Sequence, residues 1–307
     1  MSNNFKKIFM SISLGLSLVC VPAHAVFVDE ETSGPLNTGD ENMVVTEPAE
    51  FTQMMRNIEN IYDPIIQQLG GRLTIQATWG NATPNAYAKK TFKNWQVVIT
   101  GGLARQPAMT KDGIVLVACH EIGHLVAGFP FVNTGLAALL GMDWVSTEGE
   151  SDYYATRVCA RKIWGKDTIQ NEMFRSYASA YVKSECDKIW ATEAEQNLCY
   201  RITTASESLG TVLANLAKTP KPSLHTPSTK IVATTFLRHP EAQCRLDTYF
   251  QGAICTTGWN DHVIPGRKQP GGKTGIAAEK QAAMASCTKT SGFSVGLRPT
   301  CWYKPRM

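Results

Sequence analysis

The chain has 307 residues, 43% of them hydrophobic and 18% charged, with a formal net charge of +4. That length is enough to bury one large core or two small ones. So mild a charge excludes nucleic acid as the natural partner, which would need a strongly basic face.

Residues 1–25 read as a signal peptide. Lys6 and Lys7 form the charged start, Ile8 to Val21 the apolar centre, and Ala23-His24-Ala25 a small-x-small cleavage site. A lipid anchor would use Cys20, but Val19 stands where a small residue is wanted. The expectation is cleavage and a periplasmic or secreted protein. Residues 26–45 are acidic and rich in Gly, Thr and Asn, a flexible lead-in. Thr46 as cap and Pro48 in the first turn then predict a helix, in which Phe51, Met54, Met55, Ile58, Ile61, Ile65 and Leu69 recur at helical spacing. Gly70-Gly71 ends it, and Leu73, Ile75 and Ala77 alternate as a strand.

Lys111-Asp112-Gly113 reads as a turn, and the apolar run from Ile114 to Ala118 predicts a buried helix. Further helices are expected to about residue 217, broken by a loop before Thr147. Leu125 to Met142 is uncharged, but Pro130, Asn133 and three glycines interrupt it. A membrane span needs about 20 uninterrupted apolar residues, so a buried loop and short helix beside the cleft is the reading. A surface dipping into lipid is the alternative. Lys218 to Pro227 is a proline-rich connector. The expected division is a main domain over 46–260 and an extension over 261–307.

The predicted helix leads into His120-Glu121-Ile122-Gly123-His124. Two histidines four apart share one helix face, so both rings can reach one metal ion. Glu121 points differently, toward a water on that metal. Two imidazoles for zinc and a carboxylate to take the water's proton is the zinc-hydrolase arrangement. Gly123 inside the helix suggests close approach by another backbone or by substrate. Catalytic zinc usually takes a third protein ligand. Glu148 and Asp152 are four apart on the next predicted helix. Glu148 would bind zinc and Asp152 would hold the outer ring nitrogen of a ligand histidine. Glu150 is the rival ligand, on another face and without such a partner.

With Cys20 removed, eight of the nine cysteines remain. An even number in an exported chain suggests four disulfides. Pairing nearest neighbours gives Cys186–Cys199, Cys244–Cys255 and Cys287–Cys301, and leaves Cys119–Cys159 to clip the zinc helix to the Glu148 helix.

The E-x-x-x-D helix after H-E-x-x-H resembles the gluzincin metallopeptidases. The nearer likeness is to the branch holding the CAAX prenyl-protein endopeptidases and the bacterial periplasmic quality-control proteases. Asn85-Ala86-Tyr87-Ala88, then Gln96 to Leu103, resembles that branch's approach to the zinc helix. His239-Pro240 followed by Arg245-Leu246 resembles its H-P-x-x-x-x-R-[IL] element. All four blocks stand in the family's order. Gly102, where a charged residue is common, and the cysteines depart from it.

The resemblance implies an α+β zincin-like metallopeptidase with a small antiparallel sheet, a mainly helical body and a disulfide-tied C-terminal extension. Asn85, Ala86 and Tyr87 would lie at a sheet edge above the zinc and hold an extended peptide by main-chain hydrogen bonds. His239 would donate to the oxyanion, and Arg245 would stabilise charge nearby or anchor a ligand carboxylate. The implied function is an exported Zn²⁺-dependent endopeptidase acting on protein or peptide substrates, with Glu121 as base. A zincin-fold chaperone or a binding or adhesion module without turnover stays open beside it. An intact Glu121 favours the enzyme.

Overall fold

The structure, a computed structural model, describes residues 24–26, 44–132, 144–268 and 275–306. The expected signal peptide up to residue 23, residues 27–43 of the lead-in and residues 133–142 of the stretch from Leu125 to Met142 therefore fall outside the described residues, while Val45 at the end of the lead-in is buried in the core. The first helix, α1 (Pro48–Gln68), has Pro48 at its start and buries Phe51, Met55, Ile58, Tyr62 and Ile66 along one face. Its cap is Glu47 rather than Thr46. Gly70, at a φ of +88°, turns the chain into β2 (Arg72–Thr78).

β3 (Ala86–Thr91) and β4 (Asn94–Thr100) form a hairpin. Together with β1 (His24–Val26) they give a four-stranded sheet of order β1-β3-β4-β2. The sheet is mixed rather than antiparallel throughout: β2 runs parallel to β4, with Leu73 opposite Trp95 and Ile75 opposite Val97. The reason is the chain's path. β2 leads into a connection that crosses to the far side of β4 before the hairpin returns, so its direction matches β4. α1 packs on β2, and Glu59 and Asp63 accept the backbone N–H groups of Ile75 and Leu73.

A short turn of helix, α2 (Gly101–Ala104), leads toward α3 (Lys111–Val126). Lys111-Asp112-Gly113 is the first turn of α3 and not a turn before it. The Thr110 hydroxyl caps it by accepting from the N–H of Gly113 at 3.0 Å. Every residue of α3 from Gly113 to Val126 is buried, as the apolar run predicted. α4 (Glu148–Tyr154) continues through a π-helical turn over 155–159 into α5 (Ala160–Trp164). Then come α6 (Thr168–Tyr177), α7 (Ala180–Ile189) and the long α8 (Glu193–Ala217), which opens with a Thr192–Glu195 capping box. An irregular stretch carries His239 to α9 (Ala242–Ala253), and α10 (Ile276–Ala283) lies in the C-terminal part. Among the described residues, no helix is long and apolar enough to cross a membrane.

Cys119–Cys159 and Cys186–Cys199 pair as expected. Cys244 pairs with Cys301 and Cys255 with Cys287, which corrects the nearest-neighbour pairings. Cys244 opens α9 and Cys255 lies just past its end. Eleven helical steps put their Cα atoms about 16 Å apart, far beyond the reach of a disulfide. Peptide mapping of the unreduced protein should find the 244–301 and 255–287 linkages. Recovery of a 244–255 peptide would contradict this arrangement.

Candidate metal centre

Two helices build the centre by crossing closely. A Cβ on Gly123 of α3 would lie 2.9 Å from the Cα of Ser151 on α4, so only glycine permits the approach. The close neighbour anticipated from this glycine is therefore a backbone. Cys119–Cys159 ties the same two segments together. His120 and His124 stand one turn apart with ring centroids 4.6 Å from each other. Across the crossing, the Glu148 carboxylate approaches both: Oε2 is 3.2 Å from His120 Nε2 and Oε1 is 3.5 Å from His124 Nε2. All three side chains are buried, and one donor atom from each lies within 4.8 Å of the others.

The outer ring nitrogens are anchored. His120 Nδ1 sits 2.7 Å from Asp152 Oδ1, and His124 Nδ1 sits 2.8 Å from the Ser146 carbonyl with Ser151 Oγ at 3.0 Å. A ring whose Nδ1–H donates outward presents its Nε2 lone pair inward, as metal ligation requires. His124 Nε2 and both Glu121 oxygens are buried with no hydrogen-bond partner among the described residues. Burying one such polar atom unsatisfied costs about 1–3 kcal/mol, a cost that a cation held by the cluster would relieve. Two imidazoles, one carboxylate and a second carboxylate beside them fit zinc with an open position.

Charge in the cluster follows from burial. Burial pushes the Glu121 carboxyl up to about 8, with Glu148 adding and His120 opposing. Burial would raise Glu148 too, yet the surrounding histidines hold it well below the usual carboxylate range. Burial lowers His124 to about 4. His120 would fall with burial as well, but Asp152 holds it up at about 9. A divalent cation among these ligands would favour the deprotonated form of each.

His239 comes to the mouth of the cluster, with Nε2 3.3 Å from Glu148 Oε2 and the side chain 23% exposed. Arg245 stands one step behind. It is 2% exposed, and its fork grips Asp152, Nε to Oδ2 at 2.8 Å and one terminal nitrogen to Oδ1 at 2.7 Å. Of the two roles expected of Arg245, charge stabilisation or anchoring a carboxylate, the placement is that of an anchor, and the carboxylate is Asp152. Asn85 precedes β3, Ala86 is buried and Tyr87 is half-buried. β3 is not the open edge, because β1 pairs on its outer side with Val26 opposite Tyr87 and Ala25 opposite Ala88. Glu150 is absent from the cluster and pairs with Arg298 instead.

The sequence reading missed Ser146, Ser151, Tyr249 and Arg298. Tyr249 had a signal, four residues after Arg245, and its hydroxyl accepts from that arginine at 3.1 Å. Ser146 acts through its carbonyl, which no side-chain pattern marks.

These features define a zincin-type metallopeptidase site. The chain belongs to peptidase family M48, whose profile matches residues 48–246. Members of that family are zinc-dependent metallopeptidases, so the protein is a hydrolase of peptide bonds with zinc as cofactor. No curated protein and no solved structure matches the chain. Elemental analysis of the purified protein should find one zinc per chain, lost on Glu148→Ala. A protein that takes up no zinc on reconstitution would contradict the assignment of these ligands.

Proposed function

We propose that the protein is an exported endopeptidase in which Glu121 is the general base. The observation that carries this reading is the Glu121 carboxylate, buried without a hydrogen-bond partner among the described residues, beside His120, His124 and Glu148. A structural site would have no use for a second, uncommitted carboxylate.

His120, His124 and Glu148 would hold a zinc ion, which would supply Lewis acidity and make water easier to deprotonate near neutral pH. Glu121 takes the proton from the attacking water and passes it to the leaving amine. His239, at the mouth and on the Glu148 side, donates to the carbonyl oxygen as it gains charge. Arg245 is a positioning residue: it fixes Asp152, which fixes the His120 ring. The substrate lies extended along β3 near Asn85, Ala86 and Tyr87, held by main-chain hydrogen bonds.

The leader bears on that last point, since β1 spans its expected cleavage site. Cutting after Ala25 would remove His24 and Ala25 and free the outer edge of β3 at Ala88 and Lys89, leaving Val26 opposite Tyr87. The exported protein should then begin at Val26 by N-terminal sequencing. An Ala25→Leu variant that resists cleavage should hydrolyse peptides more slowly per bound zinc. Equal turnover would separate β1 from the substrate path.

Glu121→Gln keeps size and metal ligation but removes the base, so peptide cleavage should fall by at least about a hundredfold. His239→Ala should keep its zinc and lose roughly 10²–10³ in turnover with little change in substrate binding. Unchanged cleavage by Glu121→Gln at matched zinc content would favour a binding module over an enzyme.

A further inference from the structure

The part of the chain that follows the family-matched residues reaches the back of the ligand helix. α4 has seven residues. Glu148, Ser151 and Asp152 share the face toward the histidines, and Gly149, Glu150 and Tyr153 share the opposite face. Each residue of that second face is held by the C-terminal segment. A Cβ on Gly149 would collide with the indole of Trp302. Glu150 forms a buried ion pair with Arg298: a terminal nitrogen donates to Oε1 at 2.9 Å, and Nε lies 2.6 Å from Oε2. The Tyr153 hydroxyl donates to the Gly296 carbonyl at 2.5 Å.

The same segment braces two other walls of the site. Arg298 donates to the Phe129 carbonyl at 3.3 Å, and the next residue, Pro130, accepts from the N–H of Thr147 beside Glu148. Phe236 N–H donates to the Trp302 carbonyl at 2.7 Å, holding the strap that ends in His239. The segment is fastened by Cys301, next to Trp302, to Cys244, next to Arg245.

We propose that the segment around Arg298 and Trp302 is a clamp that positions Glu148, latched by the Cys244–Cys301 disulfide, so that tight zinc binding requires the oxidised chain. The inference rests on Glu148 being the third zinc ligand. Loss of Arg298 removes the hydrogen-bonded partner of the buried Glu150 carboxylate, two residues from that ligand, and leaves only the more distant charge of Arg157. Freed of that bond, the helix shifts and carries Glu148 with it. Loss of the latch frees the segment that carries both Arg298 and Trp302.

The test uses the full chain and two readouts, zinc affinity by chelator competition and the visible spectrum of the Co²⁺-substituted protein. Arg298→Met should weaken zinc binding by about tenfold to a hundredfold and alter the Co²⁺ bands. Arg298→Lys, which keeps charge but loses the fork, should fall between. Glu150→Gln with Arg298→Met removes the buried Glu150 charge along with its partner and should recover part of the loss. Cys244→Ser with Cys301→Ser should weaken zinc binding in the same way. Wild-type affinity and spectrum in both Arg298→Met and the cysteine pair, with near-UV circular dichroism intact, would overturn the clamp. If either of those does not fold, the lysine and double variants decide by the same readouts, and wild-type values in both overturn it. A wild-type chain that binds no zinc overturns the ligand assignment itself, which separates that failure from failure of the clamp.

Discussion

The approach of α3 to α4 at Gly123 and Ser151 sets the geometry on which the centre depends. With a side chain at position 123, the helices would have to separate by something near the radius of a methyl group. Glu148 would then withdraw from His120 Nε2 and His124 Nε2, which it meets at 3.2 and 3.5 Å. Ser151 would lose its contact with His124 Nδ1. Helix propensity argues against glycine here by about 1 kcal/mol, and the crossing offsets that cost. The Cys119–Cys159 bridge closes the same crossing next to His120. One contact therefore fixes both the distance between ligands and the orientation of a ring.

Behind the ligands runs a chain of buried charge: His120 to Asp152, Asp152 to Arg245, Arg245 to Tyr249. A second buried arginine, Arg201, grips Asp112 at the start of α3 with bonds of 2.7 and 2.9 Å. Well-packed apolar side chains could replace buried ion pairs of this kind at equal or better stability. What they could not supply is direction. A guanidinium fork holds a carboxylate in one plane, and that carboxylate holds an imidazole in one tautomer. Arg245 thus acts on the orientation of the site more than on the stability of the fold.

The pattern of what could be read from the sequence follows from distance along the chain. His120, Glu121 and His124 share one helix, and Glu148 and Asp152 share the next, so helical periodicity alone groups them. The strand over Leu73 to Ala77 and the burial of α3 were likewise local signals. Parallel pairing of β2 with β4 was not legible, because register between strands depends on side-chain packing across the sheet. Arg245 is legible only by resemblance, because a motif gives position in sequence and not which carboxylate a guanidinium will meet. The cysteine pairing failed where α9 intervenes. Nearness in sequence is a poor guide to distance when a straight helix separates two residues.

The need for the C-terminal segment has a simple physical origin. α4 is the first part of a helical stretch over 148–164 that a π-helical turn interrupts, and most helical stability in a protein comes from packing rather than from propensity. α4 must therefore be held by its surroundings on more than one face. α3 supplies one side, and contact there is made by the residues that serve the metal. If those same contacts carried the whole load, any shift of the ligands would loosen the helix, and any strain in the helix would move the ligands. Holding Gly149, Glu150 and Tyr153 from behind separates the two tasks. The front face of α4 can then be spent on orienting ligands, while burial, an ion pair and a disulfide-fastened segment keep the helix in place.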